Sequence, residues 1–201
     1  MNVQRLSIIA MACLLGACSG NGQVDGSTAK TDSLTVQATG SKRWVDENTL
    51  NALPEDARKN ILSGNPEPIP AAGPEFVALV GNLNSDDART RTDAARAISL
   101  TMTGAKGDYY NAIQSNVPRY LNEHPLEFLD LFNGTRNMGK TELMAWAQVL
   151  KGEGKELSPA SSELIRNMKA ACSNGDAGQV EVLNLFVSYV TGEGGKKGGL
   201  K

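Results

Sequence analysis

Between Pro54 and Thr191 the apolar residues recur at three- and four-residue intervals and rarely alternate one by one. That period brings one side of the chain back to the same face every 3.6 residues, so the chain is constrained to helices packed on helices. Phe76, Leu79, Val80 and Leu83 share one such face; Ala95, Ile98 and Met102 share the next. Tyr110, Ile113, Val117, Tyr120 and Leu121 continue the spacing, with Pro118 expected to kink or restart their helix. Phe128, Leu129 and Phe132 follow Pro125, and Leu143, Trp146, Ala147 and Leu150 form a further stripe. Leu164, Ile165, Met168 and Cys172 make another before Asn174-Gly175.

Helix starts are marked chemically. Pro54-Glu55-Asp56 and Ser85-Asp86-Asp87 place Pro or acids in first turns, and Ser158-Pro159 reads as an N-cap followed by Pro at the first helical position. The last segment, about Asp176 to Thr191, is rich in Val, Phe and Tyr, which favour strands. Its polar residues Glu181, Asn184, Ser188 and Thr191 nevertheless recur at helical gaps. A helix apolar over most of its surface is expected at the centre of the fold or at a subunit contact.

The predicted fold is all-α: eight or nine short antiparallel helices, as an irregular helical array or a compact bundle. In architecture alone this is similar to HEAT and armadillo arrays, without a clean repeat at about 34–47 residues.

The N-terminus reads differently. Residues 1–5 carry Arg5, residues 6–15 are apolar apart from Ser7, and Gly16-Ala17 are small. Charge, apolar core and small residues in that order describe an export leader. The apolar run is about half of what a permanent membrane-spanning helix requires. Leu15-Gly16-Ala17-Cys18 resembles the lipobox of bacterial lipoproteins. Cys13 is a poorer acceptor, because only about four apolar residues would precede its small-residue run.

The resemblance implies cleavage after residue 17, a diacylglycerol on the Cys18 sulfur, and acylation, palmitate for example, of the freed amine. Two or three chains hold a protein on a bilayer far more firmly than one. Ser19 after the cysteine, rather than Asp, implies the outer membrane facing the periplasm, where the organism has one. The expected partner through this anchor is the membrane.

Four segments follow: a signal peptide over residues 1–17, lipidated Cys18 with a flexible tether to residue 42, a helical domain over 43–192, and a Gly/Lys-rich disordered tail over 193–201. Residues 19–42 are Gly-, Ser- and Thr-rich, and about 24 such residues have a root-mean-square reach of roughly 27 Å.

Composition removes several functions from consideration. The chain of 201 residues has 20 Lys plus Arg and 22 Asp plus Glu, a net charge of −2 that becomes −3 when Arg5 leaves with the leader. No basic excess for nucleic acid is present. Of three cysteines, Cys13 leaves with the leader and Cys18 takes lipid, so Cys172 has no disulfide partner within the chain. One His and one free Cys do not make a structural zinc site.

Gly134-Thr135-Arg136-Asn137-Met138-Gly139-Lys140-Thr141 matches the phosphate-binding P-loop string. The real motif needs a strand ahead of the loop, and the spacing here predicts a helix, so a Gly-stopped helix and a loop are expected, with no nucleotide. His124, the single histidine, falls at a predicted corner between helices, and Cys172 on an apolar stripe. Asp86, Asp87 and Asp93 lack the alternation of a calcium loop; Asp87 with Arg91 and Arg89 with Asp93 are expected as i,i+4 pairs instead.

The sequence thus offers Cys18 as a lipidation site and no catalytic, cofactor or metal residues. The expected function is a non-catalytic, membrane-anchored protein-binding module of the cell envelope, such as an immunity protein or inhibitor, or an assembly scaffold. Its partner would be another envelope or secreted protein. Two alternatives are a carboxylate-based cell-wall hydrolase and a self-associating structural envelope protein.

Overall fold

A computed structural model describes residues 34–38, 41–63, 69–134, 138–151 and 157–193. The fold is all-α. Among the described residues nine α-helices follow one another: α1 Glu47–Ala52, α2 Glu55–Leu62, α3 Pro74–Gly81, α4 Ala88–Thr101, α5 Gly107–Glu123, α6 Pro125–Asp130, α7 Lys140–Lys151, α8 Pro159–Ala171 and α9 Ala177–Thr191. None of them is long and apolar enough to cross a membrane.

The helices start where their polar residues can take up free backbone N–H groups. Asp46 accepts from the Thr49 amide at 2.8 Å, Asp87 from Thr90 at 2.8 Å and Ser158 from Ser161 at 3.0 Å. Asp176 and Gln179 form a reciprocal capping box at the start of α9. At its other end Gly192 takes the left-handed conformation, φ 78°, which costs a glycine no Cβ clash.

One pair of strands precedes the helices, across the residue 42 boundary where tether was expected to pass into the helical domain. β1 (Leu34–Ala38) and β2 (Ser41–Val45) run antiparallel, with Leu34 opposite Val45 and Ala38 opposite Ser41. Each strand has five residues, too few for alternation to stand out beside a Gly/Ser-rich stretch. An isolated hairpin is marginal in water. This one has β1 beside α2 and ends in Val45, which is buried. The tether expected over residues 18–42 therefore gives way to strand from residue 34; residues 18–33, the leader and the tail beyond residue 193 lie outside the described residues.

α4 packs on α1, α3, α6 and α7, and α5 on α3, α6, α7 and α8. Two helices thus reach elements on both sides of themselves in the chain. The partners of both lie within three helices of them in chain order, so the fold is built from contacts between helices close in sequence. Trp146 on α7 is its centre: it is fully buried, with Phe128 and Tyr120 rings at 5.2 and 5.9 Å. Its indole N–H donates to Ser99 Oγ at 2.7 Å, and that hydroxyl donates to the Ala95 carbonyl, so the buried polar atoms are satisfied.

Two details of α5 stand out. Pro118, expected to kink or restart the helix, does not restart it: α5 runs unbroken from Gly107 to Glu123. Proline removes one intrahelical bond, but Val117, Tyr120 and Leu121 beside it are all fully buried and hold the segment in register. Tyr110, expected inside, is 47% exposed, and its neighbour Tyr109 takes the core position. The Tyr109 hydroxyl shares a 2.6 Å hydrogen bond with Thr101, and burial pushes its pKa up.

α9 buries one face. Leu183, Phe186 and Val190 are buried, while Val182, Leu185, Val187 and Tyr189 are half-buried and Val180 is exposed. It packs on α7, α6 and α8. Of its polar stripe, Glu181, Asn184 and Thr191 are exposed, but Ser188 is half-buried and donates to the Leu185 carbonyl at 2.7 Å.

The loop before α3 is pinned by a short parallel bridge. Ala71 N–H donates to the Gly104 carbonyl at 3.2 Å, and Lys106 N–H to the Ala71 carbonyl at 3.0 Å. A Cβ at Gly104 would overlap the backbone carbonyl of Ile69. Gly104→Ala is therefore expected to lower stability by about 1–3 kcal/mol, since the rigid backbone has to move. Gly81→Ala, where no atom lies within 4 Å, should be neutral or stabilising. Urea midpoints for the two variants check this; equal midpoints would contradict the close approach.

Candidate functional site

Cys18 lies outside the described residues. The P-loop string is described except at residues 135–137. α6 and a turn precede it in place of a strand, and Lys140 is the exposed first residue of α7. Glu142, in the first turn of α7, is buried, with its carboxylate close to Gly139. An acid complements the positive end of a helix, and Glu142 fills that role in α7.

His124 joins α5 to α6. Its N–H donates to the Tyr120 carbonyl at 2.8 Å and its ring leans on Tyr120 at 5.8 Å. Cys172 is buried at the end of α8, and burial, then Asp176, pushes its thiol pKa up, away from the reactive thiolate. Among the described residues no three His, Cys, Asp or Glu side chains group as metal ligands.

Of the two i,i+4 pairs expected on α4, one forms: Arg89 meets Asp93 at 4.0 Å. Asp87 is occupied as the cap of α4, where Thr90 hydrogen bonds hold its carboxyl below the usual range. Arg91 turns away from it, into the fold. It is 8% exposed, and its Nε and Nη2 donate to the two Glu127 oxygens at 3.3 and 2.8 Å. Its Nη1 donates to the Ser85 and Asp86 carbonyls, and the Tyr120 hydroxyl donates to Glu127. Arg91 stands four residues before Ala95 and seven before Ile98, on the apolar stripe itself. That placement was a signal available in the sequence.

Asp46 and Asp93 form a carboxylate pair within electrostatic reach. Burial, then Asp46, raises the Asp93 pKa, while Asp46 is bonded to Arg96 at 2.6 Å. Neither acid lines either of the two clefts described next.

The first cleft, about 270 Å³, opens between the turn after α6, the start of α7 and α9, where Lys140 and Glu181 flank Leu143, Val182 and Leu185. The second, about 250 Å³, runs between α5 and α7 beside the turn after α4. Its floor is Met102, Ile113, Ala145 and Val149, and its rim is Thr103, Tyr110, Gln114 and Gln148. Among the described residues no charged one lines it. Among the described residues none of these four side chains has a hydrogen-bond partner. Met144, 46% exposed, is on α7 next to the lining residue Ala145. Sequence periodicity named Met102, Tyr110 and Ile113 but not Thr103, Gln114 and Gln148: amides and a threonine off the apolar stripes look like ordinary solvated positions.

Both clefts fall below the roughly 300–1,000 Å³ of sites that enclose a small molecule or cofactor. The chain matches no protein-family model, no curated protein and no solved structure.

Proposed function

We propose that this chain is a lipid-anchored cell-envelope protein whose helical domain binds another protein without catalysing a reaction. The observation that carries the binding part is the uncharged groove between α5 and α7. Centres of protein interfaces are poor in charge and enriched in Tyr and Met, and Tyr110 and Met144 are two of the large apolar side chains left exposed beside it. A groove too small for a cofactor still suits one anchoring side chain of a partner. The anchor part rests on Leu15-Gly16-Ala17-Cys18.

Two experiments test the two parts. Cys18→Ala is expected to abolish incorporation of a labelled fatty acid and to leave the precursor uncleaved, because no other thiol stands at the lipobox. Label retained by the variant would overturn the anchor. Cross-linking of the envelope should recover one partner at fixed stoichiometry with the parent protein. Recovery of no protein would sink the binding module.

A further inference from the structure

We infer that Asn133-Gly134 is a site of spontaneous covalent modification, at which loss of the Asn133 amide loosens the start of α9. The inference is independent of the binding-module reading.

Asn-Gly occurs three times in the chain, and Asn21-Gly22 lies outside the described residues. The other two pairs meet at one place. Asn133-Gly134 follows α6, and Asn174-Gly175 directly precedes Asp176, the cap of α9. Asn133 Nδ2 donates to the two Asp176 oxygens at 3.1 and 3.3 Å, and Gln179 Nε2 donates to Asp130 Oδ1 at 2.8 Å. These bridges tie the first turn of α9 to the chain at the end of α6. The fit is close, since a Cβ on Gly178 would overlap Asn133 Oδ1.

An asparagine before glycine closes on the next peptide nitrogen readily, because glycine sets no side chain beside that nitrogen and bends freely. The Gly134 nitrogen attacks Asn133 Cγ. The N–Cγ bond forms, the Cγ–Nδ2 bond breaks, and the peptide proton leaves with Nδ2 as ammonia. Water then opens the cyclic imide at either carbonyl, giving aspartate or isoaspartate. The two described pairs differ in what holds them back. The Gly175 N–H, the nucleophile for Asn174, donates to the Cys172 carbonyl at 3.0 Å in the tight turn after α8. Gly134 is exposed and takes φ 107°, outside the helical region. Asn133 is restrained by a forked side-chain bond whose lengths fall at the long end of the usual range. Asn133 is therefore the more reactive of the two.

The product acts on α9. It replaces the donor that met Asp176 with a further carboxylate beside Asp130 and Asp176. The positive end of α9 offsets part of that repulsion. It does not restore the lost donor, and hydrogen bonds to a carboxylate are among the stronger ones. Asp176 then holds the Gln179 amide, now 2.8 Å away, less firmly.

The test ages the full-length chain in warm, mildly alkaline buffer made with H₂¹⁸O, folded and in guanidinium chloride, and maps its peptides by mass spectrometry. Relative to guanidinium, folding should slow Asn174 several-fold more than Asn133, and the Asn133 product should carry ¹⁸O. Equal slowing, or greater slowing of Asn133, would overturn the inference. Asn133→Gln, which can close only a larger and less favoured ring, should stay unmodified; conversion at the parent's rate would mean direct hydrolysis and would overturn the imide route. Asn133→Asp isolates the consequence. Hydrogen exchange of the Gln179 and Val180 amides should quicken about fivefold, as for one lost hydrogen bond, while that of Thr90 in the first turn of α4 stays as in the parent. Unchanged exchange at Gln179 and Val180 would overturn the loosening of α9.

Discussion

Phe186→Asp is expected to leave the domain without a cooperative unfolding transition at 25 °C, whereas Asn184→Asp should melt within a few degrees of the parent. Phe186 is fully buried on α9, with the Phe128 ring at 5.1 Å, and Phe128 in turn meets Trp146. Removing a buried aromatic ring costs about 3–5 kcal/mol. Placing a carboxylate in the space adds several more, since the ion loses its water and gains no partner. A domain of this size has about 5–15 kcal/mol to lose. Asn184 is two residues away on the exposed side of the same helix, so the same charge there keeps its hydration. Circular-dichroism melts of the three proteins decide it; equal transitions would mean that α9 does not hold the core.

Arg91→Ala should cost about 3 kcal/mol, with no change in the steepness of the urea transition. The substitution leaves Glu127, its side chain 19% exposed, with only the Tyr120 hydroxyl among its described hydrogen-bond partners. It also strips the Ser85 and Asp86 carbonyls of their donor. Breaking a buried pair is costly because of the charge left behind, and less so where water can reach it. Arg91→Lys should rescue only part, because an ammonium cannot reproduce the two-pronged contact with Glu127 while also reaching both carbonyls. Arg91→Met combined with Glu127→Leu should recover much of the loss, since both charges then go together. A double variant no more stable than Arg91→Ala would show that the carbonyl contacts, and not the ion pair, dominate.

The helices were legible because their signals are local. Caps such as Ser158 and Asp176 act on amides three residues away, and stripes such as Leu143–Trp146–Ala147–Leu150 repeat within one element. What was missed depends on groups far apart in the chain. Arg91 finds Glu127 across 36 positions, and no rule of i,i+4 neighbours could name that partner. The choice between Tyr109 and Tyr110 is set by which face α3 covers, where Phe76 meets the Tyr109 ring at 5.1 Å. Pro118 does not restart α5, because packing on both sides of it outweighs a local penalty. The groove between α5 and α7 was invisible for a related reason: its walls come from separate helices that meet only in the fold.

The hairpin gives the domain a mechanical property. Its register puts Leu34 opposite Val45, so the incoming chain and the first residue of the buried core leave the ladder at the same end. A pull arriving from the N-terminal side therefore opens the five pairs one after another, starting with Leu34 and Val45, and does not shear them all at once. Peeling in this way needs little force. It releases twelve residues, 34–45, or about 40 Å of chain at roughly 3.3–3.6 Å each, before any load reaches α1. The hairpin is in effect an extensible leash that yields first, while the helices it protects stay packed.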